Sequence, residues 1–254
     1  MSVDDAAPSL PTEKPPRVWK FWGTLAWGLV IFAAMGVGQI ALVATFVWSN
    51  GGPLDGASLI KLVGNGRTIA LSVLAGLPAV LVALWLAVRF TRISFRDYLA
   101  LHGFSWKFLL IGIVALAVLS QGWDWVAQAV GHEVSPGFMG EVLKSARADN
   151  SLWILVLAFC VAAPLTEELM TRGFLYRGWS ESFLRPFGAI ILSTLVWTCM
   201  HLQYDAFFLG QVFSIGLLFG YLRYRSNSTW LTIILHGLNN LAATLQTMWL
   251  LGGS

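Results

Sequence analysis

Two adjacent carboxylates and an arginine, Glu167, Glu168 and Arg172, sit in the stretch Pro164-Leu165-Thr166-Glu167-Glu168-Leu169-Met170-Thr171-Arg172-Gly173. They close an apolar run that begins at Trp153, where an ionisable group is costly and usually has a task. On a helix Glu168 and Arg172 lie i, i+4 and can pair on one face, while Glu167 points about 100° away. The spacing suggests a division of labour in which Arg172 holds Glu168 and Glu167 is left for chemistry. Further polar positions interrupt later apolar stretches: His201, and the pair His236 and Asn240, stacked i, i+4 on one helix face. Such a set can converge in a bundle interior. A Glu and a His can bind and deprotonate a water, and a His with an Asn amide can donate to the oxyanion formed when water attacks a carbonyl. Those parts fit amide hydrolysis without a covalent intermediate. Glu167, His201 and His236 would equally make a His2Glu zinc set, and the residues alone leave both chemistries open. Other hydrolase signatures are missing: there is no GxSxG elbow.

The elements that must position these groups belong to a membrane. The chain is 57% hydrophobic and 11% charged over 254 residues, with a mean hydropathy of +0.70, far from a soluble domain's composition. Its 13 tryptophans suit the two interfacial belts. The net charge of +3 is spread in short basic clusters between apolar runs, a topology signal and not a nucleic-acid-binding face. Cys160 and Cys199 lie in apolar stretches without CxxC spacing and are expected to be buried free thiols.

An all-α polytopic transmembrane bundle of about seven spans is therefore expected, with a cytoplasmic amino terminus. Residues 1–17 read as a flexible, proline-rich cytoplasmic tail. Residues 18–149 hold three spans: Trp22–Trp48, retained as a helix and not cleaved as a signal peptide; Ile69–Val88, with Pro78 inside; and Phe108–Val126. Trp123-Asp124-Trp125 reads as an interface anchor. A loop from Gly131 to Asn150 follows, and its His132-Glu133-Val134-Ser135-Pro136 lacks the second histidine of HExxH and contains a helix-breaking proline. Residues 150–254 form the last unit, with spans from Leu152, Phe187–Gln203, Phe207–Leu222 and Trp230–Leu251. Gly216 and Gly220 have the GxxxG spacing that permits close helix contact. Arg89, Arg92, Arg96 and Lys107, then Arg172, Arg177 and Arg185, then Arg223 and Arg225 mark cytoplasmic connections.

Glu167-Glu168-x-x-x-Arg172-Gly173, Trp197-x-x-x-His201 and His236-x-x-x-Asn240 together resemble the three-motif signature of the CPBP family, the CAAX-prenyl endopeptidases and bacteriocin-processing, Abi-type membrane proteins. The resemblance covers about residues 150–245. Trp197 is a departure, since the family usually has Phe there. The resemblance implies that Glu167 is the base, that His201 helps activate the water, that His236 and Asn240 hold the oxyanion, and that Glu168 and Arg172 support the site. It implies a membrane-associated peptide or protein substrate, no nucleic acid, and an integral protein of the bacterial inner membrane. A metal-free reaction is favoured over zinc, because Asn240 suits an oxyanion hole better than a zinc shell.

Two other classes share these residues: a non-catalytic membrane immunity or scaffold protein, and a proton-coupled transporter using Glu167, Glu168 and His201 as a relay. One geometric demand is explicit. At 1.5 Å per residue Glu167 lies about 15 Å from Arg177, whereas His201 lies about 24 Å from Arg185. Bringing them together requires a tilted or shortened fifth helix, or a fourth that continues beyond the bilayer.

Overall fold

The computed structural model describes residues 16–49, 51, 55–132 and 137–252. Ten helices run in order through them: α1 (Phe21–Ser49), α2 (Gly56–Val63), α3 (Gly66–Arg89), α4 (Phe95–Tyr98), α5 (Trp106–Val130), α6 (Gly137–Ala148), α7 (Leu152–Ser180), α8 (Arg185–Cys199), α9 (Ala206–Ser226) and α10 (Thr229–Gly252). Among the described residues there is no strand. Each of the seven predicted spans contains a helix, although the fifth ends at Cys199 and not at Gln203, and α1, α3, α5, α7 and α9 are long and apolar enough to cross a membrane. α8 has only 15 residues, and α10 is diluted by His236, Asn239, Asn240 and Gln246.

Polar residues set the helix ends. Asn65 accepts from the Arg67 and Thr68 amides to start α3, and Asp205 accepts from Phe208 to start α9, each satisfying an amide that has no partner within its helix. α9 ends on Asn227 at φ 48°, a left-handed cap that Asn tolerates. In α1 only Thr24 and Ile31 are fully buried, and the rest are exposed or half-buried, as fits a helix with one face to lipid.

Small residues let the helices meet. A Cβ at Gly38 of α1 would stand 2.8 Å from the Ala75 carbonyl of α3. The GxxxG pair works as its spacing suggests: Cβ atoms at Gly216 and Gly220 would lie 2.6 Å from Thr194 and 2.7 Å from Ile190 on α8. The principal core lies between α1, α3 and α7, around Ile31, Leu84, Leu99, Phe174 and Trp179.

Two expectations need correction. The predicted loop Gly131–Asn150 contains helix α6, whose Val142, Leu143 and Ala146 pack against Ala70, Leu155 and Ala158. Its Glu141, Lys144 and Arg147 lie among those apolar residues in sequence, and this mixed charge hides the stripe. Both cysteines are free, but Cys199 is exposed and Cys160 only partly buried: Cys199 ends α8, where the helix runs out of neighbours. Most of the 1–17 tail, and His132-Glu133-Val134-Ser135-Pro136 beyond its histidine, lie outside the described residues. His132 itself ties α5 to α9, 3.6 Å from Asp205 and stacked 4.3 Å from Phe207.

α10 lies close against α7 at Gly237, where an added Cβ would stand 2.5 Å from the Cys160 carbonyl oxygen. Backbone cannot yield as a side chain can, so Gly237→Ala should cost about 1–3 kcal/mol. Gly36→Ala, with open space around it, should be neutral or stabilising. Thermal unfolding of both variants in detergent micelles checks the contrast.

Candidate active site

α7 carries the centre of the site and is not a plain α-helix. Two π-helical stretches, Ala158–Ala162 and Leu169–Leu175, flank Ala163–Glu168. Within the first, the Ala163 amide bonds the Ala158 carbonyl five residues back. The next donor in that pattern would be residue 164, which is proline and has no N–H. The Phe159 carbonyl is thereby left without a helical donor, and Asn240 Nδ2 of α10 donates to it at 2.9 Å. Asn240 thus satisfies a backbone acceptor that Pro164 orphaned.

Below this, Glu168 and Arg172 pair as their spacing requires. Arg172 Nη1 donates to Glu168 Oε1 at 2.9 Å, with both side chains fully buried. Arg172 also donates to Thr171 Oγ1 and, through Nη2, to the Gly216 carbonyl at 3.1 Å. Its guanidinium lies 4.6 Å from the Trp197 ring and 5.7 Å from the Phe219 ring, both within cation–π range. His236 Nδ1 lies 3.1 Å from the same Glu168 oxygen. A carboxylate only accepts, so Nδ1 carries the proton.

Glu167 stands apart from this locked pair. Its side chain is 17% exposed, against 0% for Glu168. Trp197 Nε1 donates to Glu167 Oε2 at 2.7 Å, a charge-assisted bond that phenylalanine could not make. His236 Nε2 lies 3.9 Å from the same oxygen, so His236 stands between the two glutamates. The direct partner of Glu167 across the α7–α8 contact is therefore Trp197, and His201 follows one turn later. His201 Nδ1 donates to the Trp197 carbonyl at 2.9 Å, which leaves Nε2 as the acceptor of the neutral ring. The His201 and His236 rings pack 4.8 Å and 5.3 Å from Trp197. α8 ends at Cys199, and His201 lies just beyond it, four residues after Trp197.

Three contributors were not singled out from sequence. Trp197 was read as a family departure, although an indole beside a carboxylate could have been flagged as a donor. Tyr204 stacks on His201 at 6.2 Å, and burial together with the Glu167 charge pushes its phenol up, so it remains a protonated donor. Arg223 donates from Nε to the Arg172 carbonyl and to Thr229 Oγ1, both at 3.1 Å; in sequence it looks like one more basic-turn residue. Among the described residues no group of three or more His, Cys, Asp or Glu side chains stands where it could hold a metal ion, Glu167, His201 and His236 included. No step below passes through a metal.

Removing one partner of a buried ion pair leaves a bare charge. Arg172→Leu should therefore destabilise the protein by about 3–5 kcal/mol. Adding Glu168→Gln, which keeps an acceptor for His236, should recover more than half of that loss. Unfolding free energies of the two variants in mixed micelles measure the coupling.

Residues 149–242, which cover α7, α8, α9 and the first half of α10, match the family described as type II CAAX prenyl endopeptidase Rce1-like. Among curated proteins and among solved structures nothing matches the chain. The matched segment contains all three motifs and both glutamates, and over it the chain is similar to the CAAX-type membrane proteases.

Proposed function

We propose that this protein is an intramembrane endopeptidase in which Glu167 activates a water to cleave a peptide bond of a membrane-associated substrate. The observation that carries the reading is the unequal treatment of two adjacent carboxylates. Glu168 is locked between Arg172 and His236. Glu167 is anchored by one oxygen on Trp197 and keeps the other for a reactant.

In this reading a water sits between Glu167 Oε1 and His201 Nε2, the acceptor left by the bond from Nδ1 to the Trp197 carbonyl. Glu167 takes a proton as the water oxygen attacks the scissile carbonyl. The tetrahedral oxyanion accepts hydrogen bonds from Nε2–H of a doubly protonated His236, whose Nδ1–H stays on Glu168, and from the Asn240 amide proton not engaged by Phe159. Glu167 then returns its proton to the leaving amine as the C–N bond breaks, which gives a new carboxyl end and a new amine end and leaves Glu167 a carboxylate again. Glu168 and Arg172 act through position, fixing His236 and the face of Trp197. The requirement for an already bound, oriented water explains why the site is built from side chains held by packing and secondary hydrogen bonds.

Glu167→Gln keeps an acceptor for Trp197 but cannot take the proton, and should lower cleavage by roughly 100-fold or more. Terminal-peptide mass spectrometry of membranes carrying wild type or Glu167→Gln at matched levels tests this. New peptide ends confined to the wild type support proteolysis and identify the substrate. Identical ends, with any phenotype still rescued by the variant, favour a non-catalytic membrane protein. Movement of a solute driven by a pH gradient, without new ends, favours a transporter.

A further inference from the structure

Trp197 touches Glu167, His201, His236 and Arg172 with different parts of one residue. Its indole N–H donates to Glu167 Oε2 at 2.7 Å, and its main-chain carbonyl accepts from His201 Nδ1 at 2.9 Å. The Arg172 guanidinium lies over the ring, 4.6 Å from its centre. The rings of His201 and His236 meet the indole edge-on, at interplanar angles of 66° and 86°. Both members of the pair that would activate the water are therefore held by one residue. Glu167 is held by its side chain and His201 by its backbone.

The indole cannot turn away from these partners. Trp197 is buried and packs with Leu116, Ile215, Phe219 and Leu231 in a second core. A Cβ at Gly216 would stand 2.9 Å from its ring atom Cε3 and 3.2 Å from Arg172 Nη2. The α9 backbone thus closes on both the indole and the guanidinium stacked over it. With its side-chain torsions fixed by packing, the ring's single N–H, a donor only, can serve one place. Glu167 is the opposite case: a longer, partly exposed side chain whose carboxylate, among the described residues, accepts a hydrogen bond from Trp197 alone. A flexible base is held by an inflexible donor. A buried indole needs some acceptor, but a neutral carbonyl would serve at far lower cost than a carboxylate in an apolar span. The donor is there for the carboxylate.

We infer that Trp197 is the positioning residue for the base: its N–H fixes the Glu167 carboxylate through Oε2, and the stacked Arg172 fixes the indole in turn. The inference rests on the protease reading for the reaction that Glu167 performs, but not for the bond that orients it. The buried ion pair of Glu168 and Arg172 is thereby coupled to its neighbour Glu167 through an aromatic ring. Trp197 acts through Glu167 and not on the substrate, so the N–H should matter to the chemical step and not to binding. Misplacing a reacting group by about 1 Å can cost on the order of 100-fold in rate.

The test removes the N–H and keeps the shape. Benzothienylalanine, with sulfur in place of the indole N–H, is built in at position 197 by nonsense suppression, and Trp197→Phe is the second variant. The probe is a synthetic peptide spanning the most abundant peptide end that depends on Glu167 in membranes, assayed with the full chain in mixed micelles. Expected for benzothienylalanine is a kcat lower by about 10- to 100-fold, with KM and melting temperature unchanged. An unchanged kcat in both variants overturns the inference. So does a loss of kcat matched by a fall in melting temperature, which marks a ring that only fills space. The bond itself is read without substrate, from the indole N–H resonances of the chain carrying isotope-labelled tryptophan. The Trp197 signal is the one missing from Trp197→Phe. It should move upfield in Glu167→Gln, as a charge-assisted bond becomes a neutral one, and an unmoved signal overturns the inference. If no peptide end depends on Glu167 while the signal moves, the protease reading fails and the orientation of Glu167 by Trp197 stands.

Discussion

Everything at the centre of this molecule depends on the fully buried ion pair between Glu168 and Arg172. Taking two charges out of water costs several kcal/mol per ion, and the attraction offsets this only with good geometry and further hydrogen bonds. Those further bonds recruit the rest of the site. Arg172 reaches the Gly216 carbonyl on α9 and lies over Trp197 of α8, while Glu168 accepts from His236 of α10. One pair on α7 thus fixes the three helices that follow it. The absence of a side chain at Gly216, where a Cβ would lie 3.2 Å from Arg172 Nη2, shows how little space the arrangement leaves.

The irregular winding of α7 serves the same end. π-helical turns expose backbone groups and often mark functional sites. Here the freed groups are taken up by neighbours: the Phe159 carbonyl by Asn240, and the Arg172 carbonyl by Arg223. Each exchange binds α7 to another helix through the backbone, which leaves Glu167 free of structural duty apart from its bond to Trp197. In a low-dielectric interior a satisfied polar network rigidifies, whereas a partly satisfied one is costly.

Much of this was legible in the chain. The i, i+4 spacing of Glu168 and Arg172 and of His236 and Asn240 could be read directly, because helical periodicity converts spacing into a shared face. The membrane class and the GxxxG contact followed from composition and small-residue spacing. The amphipathic helix α6 was not legible, because mixed charge dilutes its apolar stripe of Val142, Leu143 and Ala146. Nor was the role of Trp197, whose ring satisfies the expectation of an aromatic while its N–H does something sequence patterns do not rank. Tyr204 and Arg223 were hidden for a related reason: their partners lie on other helices, and only packing brings a turn residue or a basic-turn arginine to the centre.

The central claim is that two neighbouring glutamates have been given separate tasks, one structural and one chemical. The most direct measurement compares Glu167→Gln and Glu168→Gln side by side, for melting temperature in one detergent and for cleavage of the substrate found by peptide profiling. Expected is a Glu167→Gln protein that melts within about 2 °C of the wild type yet does not cleave, and a Glu168→Gln protein whose melting temperature falls by about 10 °C. Equal falls in melting temperature, or cleavage that survives in Glu167→Gln, would contradict it.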